Sequence, residues 1–403
     1  MGRKHKTSRY GPGFLVTAAF IGPGTVTTCS LAGARHGFAL LYALVFATVT
    51  TLLLQEMTGR LSLASGHDLG QALRSFPRRQ AARWAYAVLT LSAITFGCAA
   101  YEAGNLTGGA LGLEILTSLP HRVWVALISM AALLILGRKS YKLVERTLIL
   151  LVFLMSIAFL ATALLVRPAL SAVAGGLVPS LPSGSLILVL ALVGTTVVPY
   201  NLFLHSAAVK EKWTSRAHLK DVKRDLGVAI GLGGLISAAI VITSASAFFT
   251  HGKSIELGIH MAAQLKPLFG AAAQILFGLG FFAAGMSSAV TAPYAAAFAS
   301  SGILGWDKGQ DSWRFRCVWA GIILIGLLVS LFGFNPISII IFAQAANGVI
   351  LPVAAVFLLV VLNNRAYMGD LCNNWKQNAI GIAITAVVSG LGIWNLVRLL
   401  PFV

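Results

Sequence analysis

The chain has 403 residues, a formal charge of +18 and a mean hydropathy of +0.84; 57% of its residues are hydrophobic and 10% are charged. That balance excludes a soluble domain of ordinary composition, and apolar runs long enough to span hydrocarbon as helices recur along its length. The surplus of positive charge would point to nucleic acid in a soluble protein, but here it concentrates in loops that stay on the cytoplasmic side, so no nucleic-acid partner is expected.

In chain order, eleven spans are predicted, at 11–35, 39–63, 82–111, 121–137, 143–166, 185–210, 225–249, 271–301, 317–333, 336–362 and 377–400. The basic segment Met1 to Tyr10 carries no cleavage pattern, so the first span is read as an uncleaved helix. That span is interrupted at Gly22-Pro23-Gly24-Thr25, and the sixth at Val198-Pro199-Tyr200-Asn201. Proline removes a backbone donor and clashes with the preceding turn, so each helix must break there. Broken backbone at bilayer depth survives only where it is buried in protein or lines a polar cavity. Breaks at corresponding positions of two halves mark the central site of a secondary transporter.

With the N-terminus placed inside, 24 of the 30 Lys and Arg fall on the inner side and 6 on the outer. The predicted topology is therefore N-terminus cytoplasmic and C-terminus extracytoplasmic, in the cell membrane. Spans one to five (11–166) and six to ten (185–361) each begin with a broken helix, and five is odd, so the two sets run in opposite senses. The fold class is an all-α membrane protein with an inverted 5+5 repeat. An extra helix at 377–400 is expected at the periphery, and 1–403 forms one transporter domain. Cys29, Cys98, Cys317 and Cys372 are scattered without a C-x-x-C pattern, so free thiols and no zinc site are expected.

The candidate cargo site gathers polar residues at the breaks: Gly22, Thr25, Thr27 and Thr28 from the first span, and Thr195, Thr196, Val198, Tyr200, Asn201 and His205 from the sixth. Gln344 and Asn347, three apart on the tenth span, share a face that reaches the same region. The bland alternative for any one threonine is a back-bond to its own helix. Two carboxylates lie well inside spans, and an acid there is a functional-site hypothesis by default. Glu56, with Arg60 four residues on, reads as a structural ion pair. Glu102, three residues before Asn105, is the candidate proton carrier, with His205 as a relay or a structural hydrogen-bonding group.

Several runs together resemble the Nramp family: Ile21-Gly22-Pro23-Gly24-Thr25, Leu53 to Leu61, Val198 to Ser206, Ala343-Gln344-Ala345-Ala346-Asn347 and Leu351-Pro352. The resemblance implies the leucine-transporter type of fold and proton-coupled import of manganese, iron and similar divalent ions. It also exposes departures. The family's first break reads Asp-Pro-Gly-Asn, and both metal-binding side chains are lost here, to Gly22 and Thr25. Val198 replaces a methionine ligand, Tyr200 a histidine, and Asn105 a glutamate tied to proton movement, whereas Glu102, His205 and Gln344 are retained. First-row divalent ions need anionic or soft ligands, and without them no metal or cofactor site is expected. Hydroxyls, amides and two positive helix ends suit a small polar, zwitterionic or anionic solute, with proton coupling an open option. The first alternative is a divalent cation, partly hydrated and coordinated by carbonyls, Gln344 and Thr25. An alternative of another class is a channel or non-transporting sensor. No nucleophile–base pair or nucleotide-binding glycine pattern points to an enzyme.

Overall fold

The computed structural model describes residues 11–13, 21–76, 80–138, 142–306 and 312–399. Its principal helices, numbered in chain order, are α1 (Pro23–His36), α2 (Leu41–Ser65), α3 (Gln80–Glu114), α4 (His121–Gly137), α5 (Lys142–Leu165), α6 (Leu186–Thr196) and α7 (Pro199–Lys212). The remainder are α8 (Leu219–Ala247), α9 (Ala272–Leu304), α10 (Trp313–Leu331), α11 (Pro336–Leu362) and α12 (Trp375–Leu399). Eight stretches among the described residues, one of them the pair α6–α7, are long and apolar enough to cross a membrane, and α4 is a shorter apolar helix. The predicted spans from 39 to 400 each coincide with one of these helices or with that pair. Residues 14–20, within the predicted first span, lie outside the described residues.

Each break sits a residue or two earlier than the sequence reading placed it. Proline has no N–H to lose at a helix start and its φ is already helical, so it occupies the first helical position rather than the centre of a gap. Thus α1 starts at Pro23, with Gly22 extended before it, and α7 starts at Pro199, with Val197 and Val198 forming the link from α6. Thr25, Tyr200 and Asn201 consequently lie in first helical turns.

In a bilayer, apolar faces gain little by leaving lipid, so helices hold together through close approach of small residues and through polar contacts. The centre of this fold is built that way. Helix α3 packs against α9, α10 and α11, and α1 packs against α8, α6 and α11. At the α3–α9 crossing, a Cβ added to Gly285 would lie 2.5 Å from the Cα of Gly109, so the two backbones touch where both residues lack side chains. One residue earlier on α3, Gly108 receives the ring of Pro23. A second apolar cluster, including Leu106, Ile128, Met286 and Ile323, fills the seam between α3, α4, α9 and α10.

Helix α12 meets the rest of the fold chiefly through α11, and most of its described residues are exposed or half-buried. It packs along α11, where Leu359 faces Gly381, and its N-terminal approach is tied to α2 by Arg60. That guanidinium is 3% exposed and donates to Asn373 Oδ1 (2.7 Å), Gln377 Oε1 (3.1 Å) and the Leu371 carbonyl (3.3 Å). Glu56 pairs with Arg60 at 3.4 Å and with Lys223 of α8 at 3.4 Å, which is the structural ion pair read from the sequence.

Candidate functional site

The two breaks meet. The hydroxyls of Thr25, in the first turn of α1, and Thr195, near the end of α6, hydrogen-bond at 2.8 Å across 170 residues of sequence. Thr51 of α2 donates to the Thr196 carbonyl (3.2 Å), and Tyr101 of α3 reaches the Thr195 carbonyl (3.5 Å). A helix C-terminus leaves its last carbonyls unpaired, and these two side chains satisfy the end of α6. Tyr101 also packs edge-on against Tyr200, with ring centroids 5.8 Å apart.

From α11, Gln344 lays its amide against the backbone of Gly24, in contact with no Cβ, and against Gly104 of α3. Its Oε1 has no protein partner. The same holds for Thr27 and Thr28 Oγ1, Tyr200 OH and both side-chain polar atoms of Asn201. A buried polar group without a partner is unfavourable by roughly 1–3 kcal/mol, so several on the segments that form the breaks point to a bound species or water there. Thr25, Thr195, Tyr200, Asn201 and Gln344 are each no more than 1% exposed, so the arrangement is occluded. Val198 is likewise buried and offers only an isopropyl group. The side chain of Asn347 lies outside the described residues.

Glu102 is fully buried on α3. Its Oε2 accepts from Asn105 Nδ2 at 3.4 Å, its Oε1 has no protein partner, and Gly326 of α10 packs against its stem. The hydrogen-bond partner of Glu102 is thus Asn105, while the nearby Tyr200 hydroxyl has none. His205 Nδ1 lies 3.1 Å from Thr58 Oγ1, while its Nε2 is unpartnered. Sequence reasoning missed Thr51, Thr58 and Tyr101, and also Ser288 of α9, which is 1% exposed with an unpartnered hydroxyl. The last could have been found, because Ser287-Ser288 is a polar pair near the middle of the predicted span 271–301. Among the described residues, no group of three or more His, Cys, Asp or Glu is placed to hold a metal ion.

The Thr25–Thr195 bond supports a quantitative expectation. In a double-mutant cycle of Thr25→Val and Thr195→Val, equilibrium unfolding in mixed detergent should give a coupling of about 0.6 kcal/mol, the average for such bonds in membrane proteins. Additive losses would show that the bond carries nothing.

Two discontinuous helices meeting in a buried polar centre, within an inverted repeat, define a secondary-active membrane transporter. The profile described as "Nramp: Natural resistance-associated macrophage protein-like" matches residues 13–398. The chain belongs to the Nramp family. It is 30% identical to the divalent metal cation transporter MntH of Nostoc sp., over 96% of this chain and 90% of that one. It is 31% identical to the protein of the same name from Yersinia pestis, over 99% and 97%. Among solved structures, an Eremococcus coleocola manganese transporter superposes with a TM-score of 0.76 at 22% identity, over 97% of this chain and 87% of that one. MhsT in complex with L-phenylalanine shares the fold with a TM-score of 0.62 at 15% identity, over 98% and 99%.

Proposed function

We propose that this protein carries a divalent metal cation by alternating access, and that the ion keeps part of its water shell in the central site. The named cargo of the MntH relatives supports this reading over the small polar solute that the missing ligands predict. The observation that carries it here is the set of buried, unpartnered oxygens on residues within a turn or two of the breaks or packed against them: Thr28, Tyr200, Asn201 and Gln344. Hard cations prefer oxygen ligands, and one that dehydrates reluctantly retains waters that such neutral oxygens can hold. A fully stripped double charge has no counter-charge among these side chains, so selectivity falls on hydrated, magnesium-like ions rather than on tightly ligated manganese. Glu102 is the coupling carboxylate in this proposal, with Asn105 beside it and His205 as relay. The repeats 11–166 and 185–361 rock against each other, with the N-terminus cytoplasmic and the C-terminus extracytoplasmic.

A second reading retains a specific observation in its favour. Among the described residues, neither α1 nor α7 carries an acidic side chain in its first turn, and both helix N-termini present positive ends at the breaks. That field suits a zwitterionic or anionic solute.

Uptake into proteoliposomes separates the two. Saturable Mg²⁺ and Mn²⁺ flux, with Mg²⁺ competing at no worse than about tenfold higher concentration (~1.4 kcal/mol), is the expected result. Uptake of amino acids or inorganic anions without any divalent-ion flux would replace the first reading with the second.

A further inference from the structure

A further polar side chain at the breaks comes, like Gln344, from a helix outside both of them. Gly22 has φ −113° and ψ −174°, an extended conformation open to any residue. A Cβ built there would meet only Ser288 within 4 Å, with its Oγ at 2.9 Å and its Cβ at 3.8 Å. Ser288 is 1% exposed and its hydroxyl has no protein partner. Its position follows from the glycine seam: Gly285 touches Gly109 backbone to backbone, and Ser288 comes one turn further along α9. Pro23 sits in the notch at Gly108, so α3 fixes both Gly22 and Ser288 from the same stretch.

We propose that Ser288 is a specificity-determining residue of the cargo site. Its hydroxyl stands where the side chain of residue 22 would project, lends the cargo a neutral oxygen, and must shift before a carboxylate can take that place. The proposal rests on the reading of the break region as the cargo site. A hydroxyl donates once and accepts twice, so it can hold a cation-bound water or ligate the ion directly. A carboxylate at position 22 would add the anionic oxygen that a dehydrated divalent ion needs. Gly22 and Ser288 therefore act as a pair: each is compatible with the other, and exchanging one alone leaves either a collision or an empty place.

The test is Mn²⁺ binding by calorimetry to the purified full chain, to Gly22→Asp, to Ser288→Ala and to the double variant, with thermal unfolding of all four in the absence of Mn²⁺. Gly22→Asp/Ser288→Ala should bind Mn²⁺ at least tenfold more tightly than Gly22→Asp, and should recover the midpoint that Gly22→Asp loses. Equal binding and equal midpoints for those two variants would overturn the proposal. Should Gly22→Asp fail to fold, Gly22→Ala takes its place in the thermal cycle with Ser288→Ala. Coupling between the two supports the pair, and additivity overturns it. If the unaltered protein binds no divalent ion, the cargo reading fails, while the comparison of variants still decides the role of Ser288.

Discussion

Arg60→Met should destabilise the protein by about 3 kcal/mol, the lower end of the range for breaking a buried ion pair. Methionine fills similar volume, so the loss isolates the guanidinium. Three acceptors from the approach to α12 lose their donor, and Glu56, whose side chain is 15% exposed, keeps only Lys223, which is 51% exposed. Arg60→Lys should recover less than half, because a point charge cannot reach a spread of acceptors that a planar fork spans. Equilibrium unfolding in mixed detergent measures both variants. A change within about 0.5 kcal/mol for Arg60→Met, as at an ordinary surface site, would show that α12 holds to the fold without this clasp.

The largest functional effect is expected at Glu102. In Glu102→Gln, cargo binding and exchange between the two faces should persist, while accumulation driven by a pH gradient should be lost. The reasoning is chemical: glutamine keeps the shape and can still bond to Asn105, yet it cannot take up or release a proton. Glu56 is engaged by Arg60 and Lys223, so it is a poor substitute. Proteoliposomes loaded with a dye for divalent ions, under an imposed pH gradient, read the two properties separately. A mutant that accumulates cargo at the unaltered rate would remove Glu102 from coupling and leave it a structural acid. His205→Gln, which keeps an acceptor for Thr58, should slow accumulation without abolishing it.

Much of this architecture could be read from residue pattern because membrane insertion imposes it. A span must be apolar and about twenty residues long, and proline at bilayer depth must break its helix. The break pair, the ion pair at Glu56 and the span positions follow from those rules. What resisted reading depends on which helix faces which. Nothing in the local pattern says that Ser288 meets Gly22, because that contact is set by the crossing of α3 and α9 at two glycines. Nothing says that Arg60 reaches past its own helix to Asn373, since the i, i+4 carboxylate already accounts for its charge. The break positions were offset for a different reason, the preference of proline for the first helical position. The cargo is the least legible part: hydroxyls, amides and helix ends point to a small polar, zwitterionic or anionic solute, whereas the named cargo of the MntH relatives favours the divalent-cation alternative.

The hydroxyl bond joining Thr25 to Thr195 has an electrical corollary. Both partners are neutral, so parting them moves no formal charge. A unit charge crossing the membrane field would gain or lose about 2.3 kcal/mol per 100 mV, and this contact contributes none of it. As far as this contact governs it, the empty carrier can reset at the same rate whatever the membrane voltage. Any voltage dependence of the transport cycle then enters with what is bound, the ion at the breaks or the proton on Glu102.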